Sequence, residues 1–471
     1  MNKALIFKVQ GYLLIILSVS MIIPLLIAYK HQEASVFAFV LSVIATFITG
    51  LLMKSINSNS NKFEFQESIL VVAGGWLLFC IFGALPYILG AGLNISEAVF
   101  ETMSGLTTTG ATVISNIEAL DKGILFWRCF TQWIGGMGII VLSLAIMPLL
   151  GSQGGNLYKA EVPGPTTDKL LPKLQATAKL LWFVYLAITI VQTICLYIAG
   201  MNFFDSICHA FTTVASGGFS TKDASIAAYD SLWIHWILIF FMFLAGANFA
   251  LHFRLITGKV NVYWKDVEFR TYLGIFLFTT IALTPPLIAN SDKPPIWAIT
   301  DSAFQTISIL TTTGYISADY TQWPTYSQML IFLLFFVGGC AGSTSGGVKV
   351  IRVLILVRSS LGEIRKLLHP QAVFQLKISR APVKEEVLAK ILAFFVLFII
   401  TIFITALCLA LTGHNLETSL SAALSCVGNV GPAFAEVGPT DNFSVITDVG
   451  KWILVIAMSV SYTHLTLPTT D

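Results

Sequence analysis

Residues 107–112 read TTTGAT, and residues 311–316 read TTTGYI. Neither phrase contains an ionisable group, so neither supplies an acid, a base or an activated nucleophile. What they offer is backbone carbonyl oxygen beside a glycine, and glycine adopts dihedrals closed to other residues. Oxygens gathered that way can replace the hydration shell of a monovalent cation.

Two further segments stack on these without gaps. The set is EAVFETMSGLTTTGAT (97–112), DSICHAFTTVASGGFS (205–220), DSAFQTISILTTTGYI (301–316) and TSLSAALSCVGNVGPA (418–433). One column holds Gly110, Gly218, Gly314 and Gly431; six positions earlier stand Ser104, Thr212, Ser308 and Ser425. The first three segments begin with Glu97, Asp205 and Asp301, where a carboxylate can cap a helix N-terminus; the fourth begins with Thr418 after Glu417. The candidate ion-binding residues are Thr108, Thr109 and Gly110; Ser216, Gly217 and Gly218; Thr312, Thr313 and Gly314; and Asn429, Val430 and Gly431.

The elements that position them follow from composition. The chain is 56% hydrophobic and 11% charged, with mean hydropathy +0.81, more apolar surface than a water-soluble fold can hide. Apolar runs able to cross a core of about 30 Å lie near 5–29, 35–53, 67–89, 123–150, 176–200, 230–251, 269–290, 323–357 and 387–412, and a tenth begins near Val449 and stops early. Each stacked segment falls between two such runs. A dozen helical residues rise only about 18 Å, half a membrane, so each segment must enter and return. Non-helical backbone at that depth is tolerable where it lines a watery cavity. Small residues packing between membrane helices would explain one such phrase, but four aligned ones fit a shared pore better.

With the N-terminus inside, 21 Lys and Arg fall on one side and five on the other, Arg128 being the last of the 27. Topology alone explains that asymmetry; an acidic outer face would also suit a cation pathway. Within 323–357 the run FFVGGCAGSTSGGVKVIR places five glycines in ten residues, which should break the helix at mid-membrane. The residues of this plug are Gly338, Gly339, Gly342, Ser343, Gly346 and Gly347. Cations follow, from Lys349 and Arg352 to Lys384 and Lys390, as a cytoplasmic face that positive-inside topology or anionic membrane lipid would explain. Trp133, His252 and Arg254 read as interfacial anchors, and His235 and Arg128 are assigned no chemistry. With no catalytic or nucleotide-binding pattern and no zinc-type cysteine spacing, the chain does not read as an enzyme or a metalloprotein, and nucleic acid is not an expected partner.

TTTGAT, SGGFST (216–221), TTTGY (311–315), GNVGP (428–432), WIGGMGI (133–139) and GGCAGSTSGGVKVIR (338–352) together resemble the Trk/Ktr family of potassium transporters over residues 1–458. The two extra N-terminal runs are similar to the Trk branch. The resemblance implies an all-α polytopic membrane protein, with four helix–pore loop–helix repeats in pseudo-fourfold arrangement and an N-terminal two-helix hairpin. The expected units are 1–56, the hairpin; 66–150, 170–258, 266–358 and 386–460, the four repeats; 359–385, a cytoplasmic linker; and 461–471, an atypical tail. It further implies potassium ion as the transported species with no organic cofactor, a glycine gate beneath the filter, a homodimer on a nucleotide-binding regulatory ring of RCK type, and the bacterial inner membrane with a cytoplasmic N-terminus. An alternative is a secondary transporter working by alternating access, which expects ionisable residues at mid-membrane where the sequence has few. Residues after about 458 match no position of the family's last helix and read as a truncation or a foreign sequence.

Overall fold

The structure, a computed structural model, describes residues 3–56, 65–138, 171–258, 261–290, 294–369, 375–378 and 381–461. Among these, six helical stretches are long and apolar enough to cross a membrane: Lys3–His31, Ser35–Lys54, Leu70–Gly90, Ala178–Ile198, Val267–Asn290 and Glu385–Ala410. The chain is a multi-pass membrane protein of all-α class, and among the described residues the only strands are a two-residue pair joining Lys377–Ile378 to Ala381–Pro382. Its lipid-sized face is apolar, with Phe37, Trp233, Phe278 and Leu407 all more than half exposed.

Four short helices lie between the longer ones: Ile95–Leu106, Phe203–Val214, Pro295–Leu310 and Leu416–Gly428. Their sequences forced this depth, since 12, 12, 16 and 13 residues rise only about 18–24 Å. Beyond their exposed first turns they are largely buried, packed between the flanking helices of their repeats. The first two repeats close their N-termini with Asn94 and Asn202, whose side chains accept the N–H of Glu97 and Asp205, and the fourth does so with Asn415 accepting from Thr418. Glu97 and Asp205 sit at the third helical position and an asparagine three residues earlier is the N-cap; in the first repeat Glu97 Oε2 accepts the Asn94 N–H at 3.2 Å in return, so the carboxylate takes part in a capping box as expected there. In the third repeat the helix starts at Pro295, after Pro294, because proline suits a first turn. Asp301 consequently lies inside that helix and accepts Ser317 Oγ at 2.9 Å.

Two of the apolar runs are broken, the first against expectation and the second at the glycine segment where a break was expected. The run at 230–251 becomes Leu232–Ala245 and Phe249–Ile256, bent by 99°; Asn248 caps the second piece through the Ala250 N–H. The run at 323–357 becomes Thr325–Leu334, an irregular stretch, and Val350–Leu368. That second helix continues through the first part of the expected linker at 359–385. The N-terminal hairpin packs Lys3–Ser20 against Ser35–Lys54, where Gly11 and Gly50 let the backbones approach. The last helix is Asp448–Val460; the part of the tail from 462 onward, like 139–150 of the first repeat, lies outside the described residues.

Candidate functional site: a ring of four pore loops

Each short helix ends the same way. The N–H groups of Thr109, Gly217, Thr313 and Val430 reach back to the carbonyls of Ser104, Thr212, Ser308 and Ser425 at 2.9, 2.8, 2.8 and 2.9 Å. This closing bond follows a residue in left-handed conformation: Thr108, Ser216, Thr312 and Asn429 have φ of 53, 55, 55 and 56°. It is the Schellman ending with a non-glycine at the left-handed position. The next residue returns to negative φ, and then Gly110, Gly218, Gly314 and Gly431 turn positive again at 83, 75, 78 and 100°.

The four loops then meet in a circle. A Cβ built on Gly110 would strike the carbonyl oxygen of Gly217, one on Gly218 that of Thr313, one on Gly314 that of Val430, and one on Gly431 that of Thr109 at 2.7 Å. Each glycine thus makes room for the middle carbonyl of the next repeat, and four steps return to the start. The structure brings all twelve sequence-selected residues together in this ring. Above it an open cavity is lined by all four glycines, Arg128 and Asp441. The helix C-termini directed at the ring favour a cation there, because their terminal carbonyls carry partial negative charge.

Side chains tie neighbouring repeats together around the ring. Asn429 Nδ2 donates to Thr109 Oγ1 at 2.9 Å, joining the fourth loop to the first. Tyr315 OH, fully buried, donates to the carbonyl of His209 at 3.0 Å and shares a hydrogen bond with Thr212, joining third to second. Tyr320 OH donates to Ala433 O at 2.7 Å, joining third to fourth.

Arg128 is not an interfacial group, nor is Trp133. Arg128 Nε pairs with Glu101 Oε1 at 2.6 Å with both side chains buried, Nη1 donates to Ser220 O at 2.7 Å, and the guanidinium lies 3.8 Å from the Phe219 ring centre. Glu101 also accepts Thr112 Oγ1 and the Val113 N–H. One ion pair thereby fixes the outer ends of two of the four loops. Trp133 is stacked on Phe130 and donates to Thr189 Oγ1 at 3.2 Å. His252 is held by Tyr263 OH and Leu244 O. At the outer rim, Lys222 pairs with Glu118 at 2.6 Å, and that hydrogen bond holds its ammonium pKa above the ordinary lysine value.

Sequence reading missed the column nine positions before the glycine: Glu101, His209, Gln305 and Ala422. The first three reach outward to the strand of backbone beyond their own glycine, His209 to Ser220 Oγ at 3.0 Å and Gln305 to Ser317 Oγ at 3.4 Å. The signal was present, since Glu, His and Gln fill that column in three of the four helices, whose other mid-helix polar residues are mostly Ser and Thr.

Beneath the ring lies the glycine segment. Gly338, Gly342 and Gly347 have φ of 83, 74 and 71°. Thr344 Oγ1 shares a 2.8 Å hydrogen bond with Ser216 Oγ, the Gly346 N–H donates to Thr312 Oγ1 at 2.6 Å, and a Cβ on Gly346 would come within 2.9 Å of the Asn429 Cβ. The segment therefore touches the left-handed residue of three loops. A Cβ on Gly339 would collide with the Ser345 side chain, the Gly339 carbonyl accepts the Val350 N–H at 2.9 Å, and Ser343 Oγ donates to Cys340 O at 2.6 Å. Lys349, read from sequence as the first cytoplasmic cation, is instead buried, with Nζ on Ser345 O at 2.5 Å. Glu268 Oε1 accepts from the N–H groups of Ala341 and Ile351.

Four inward loops around one axis, each carried by a half-length helix, define a pore-loop membrane protein. The family TrkH, described as cation transport protein, matches residues 35–460. The chain belongs to that family. It is similar to the Trk system potassium uptake protein TrkH of Escherichia coli (strain K12), 38% identical over 464 residues, 97% of this chain and 96% of that one. The Trk system potassium uptake protein TrkG of the same strain is 34% identical, covering 95% of this chain and 93% of its own. The crystal structure of the potassium transporter TrkH from Vibrio parahaemolyticus superposes with a TM-score of 0.88 at 34% identity, covering 99% of this chain and 98% of that one.

Proposed function

We propose that this chain carries potassium across the bacterial inner membrane, through a pore whose filter is residues 108–110, 216–218, 312–314 and 429–431. The observation that carries the reading is the closed circle of glycine-to-carbonyl contacts, which offers oxygen without fixed charge from four sides. Potassium is the substrate, favoured by the names of the relatives as potassium uptake proteins; neither catalysis nor an organic cofactor is needed. The segment 338–347 is the gate, pinned across the inner mouth by Thr344 and Gly346. Since the relatives are named as parts of a Trk system, the chain works with other subunits: a second copy of itself and a nucleotide-binding regulatory ring on the cytoplasmic side, where the N-terminus also lies.

Expression in a bacterium lacking potassium uptake tests the reading. Growth at low potassium, with potassium accumulated in preference to sodium, is the expected result. A chain that reaches the membrane and restores no uptake, with its regulatory subunit supplied, overturns it.

A further inference from the structure

We propose that Gln132 is a positioning residue for ion selection, clamping the filter loop of the second repeat from the helix of the first. The inference rests on the potassium-pore reading above. Gln132 lies on Lys122–Gly136 and is fully buried. Its Nε2 donates to Gly217 O at 2.6 Å, and its Oε1 accepts the Phe219 N–H at 3.0 Å. One amide therefore brackets Gly218, gripping the chain on both sides of it. Arg128, one turn earlier on the same face, donates to Ser220 O at 2.7 Å. Two side chains four residues apart thus fix three of the four consecutive residues 217–220 to a single helix.

The oxygen that Gln132 holds is one of the four ring carbonyls, the one that occupies the space beside the Gly110 α-carbon. A carbonyl has two lone pairs, so this oxygen can serve the amide and an ion together. Sharing lowers the field it presents and fixes where it stands, and both quantities set the balance between potassium and sodium in a ring of carbonyls. The fit is close: a Cβ on Gly217 would collide with the Gln132 amide.

The test compares potassium, rubidium and sodium flux in proteoliposomes for the parent, Gln132→Glu and Gln132→Met. Glutamate keeps the size and loses the donor; methionine loses donor and acceptor. Both variants are expected to lower the potassium-to-sodium flux ratio by roughly five-fold, the loss of one buried hydrogen bond, at parental membrane abundance. A parental ratio in either variant at that abundance overturns the proposal. Should neither variant accumulate, the 15N resonance of the Gln132 side-chain amide in the parent decides: it is expected to move when sodium replaces potassium, and an unmoved resonance overturns the clamp. A parent that carries no potassium would instead remove the reading of function beneath it.

Discussion

The carbonyl oxygen of Thr109 stands 2.7 Å from where a Cβ on Gly431 would lie, so the last repeat is joined to the first and the ring closes within one chain. The other three junctions are tighter still. Substituting the glycines should therefore give a graded series. Gly110→Ala, Gly218→Ala and Gly314→Ala are expected to lose most potassium-over-sodium preference, because each adds both an unfavourable positive φ, about 1 kcal/mol or more, and a collision with a ring carbonyl. Gly431→Ala should be the mildest. Sodium-to-potassium uptake ratios measured at equal abundance rank the four, and a Gly431 variant worse than the rest would contradict the geometry.

Removing one partner of the Arg128–Glu101 pair leaves a buried charge alone, which costs about 3–5 kcal/mol, whereas neutralising both costs far less. Arg128→Gln and Glu101→Gln should each lower the melting temperature of the detergent-purified protein sharply. The double variant should recover most of that loss. Additive single effects in the double variant would show that the two side chains do not act as a pair.

Thr344 holds the glycine segment, the proposed gate, to the second loop through Ser216 Oγ and Val214 O. Thr344→Val keeps the shape and removes both bonds. Its flux should rise severalfold, each lost bond being worth about 1 kcal/mol, while its ion preference stays parental. Lower flux at equal abundance would make the segment a support for the filter rather than a barrier.

Asn94, Asn202 and Asn415 cap three pore helices. Replacing each with alanine should cost about 1 kcal/mol, read as a lowered melting temperature. Replacing Thr418, whose N–H is capped, should leave the cap itself intact, whereas replacing Glu97 also removes the acceptor of the Asn94 N–H.

The glycine column, the pore-helix length and the helix break at 338–347 were legible in the sequence because each is a local property: a spacing, a length, a composition. The partners of those residues were not, because they come from other repeats. Nothing near Gly217 in the chain announces Gln132, eighty-five positions away, and a lone arginine in an apolar run is assigned no chemistry until Glu101 is placed beside it. The left-handed residues Thr108, Ser216, Thr312 and Asn429 were hidden for a different reason. Only asparagine among them favours that conformation, so the helix ending that imposes it had to be seen. Lys349 misled in the same way: its charge matched the cations that follow, while its neighbours Ser343 and Ser345 bury it.

The most direct test of the central claim is the reversal potential of the purified chain in a lipid bilayer with potassium on one side and sodium on the other, parent against Gly218→Ser. A glycine ring that selects by carbonyl position predicts a potassium-preferring potential in the parent, moved toward zero in the variant. The same potential in both, with current flowing through each, would contradict it.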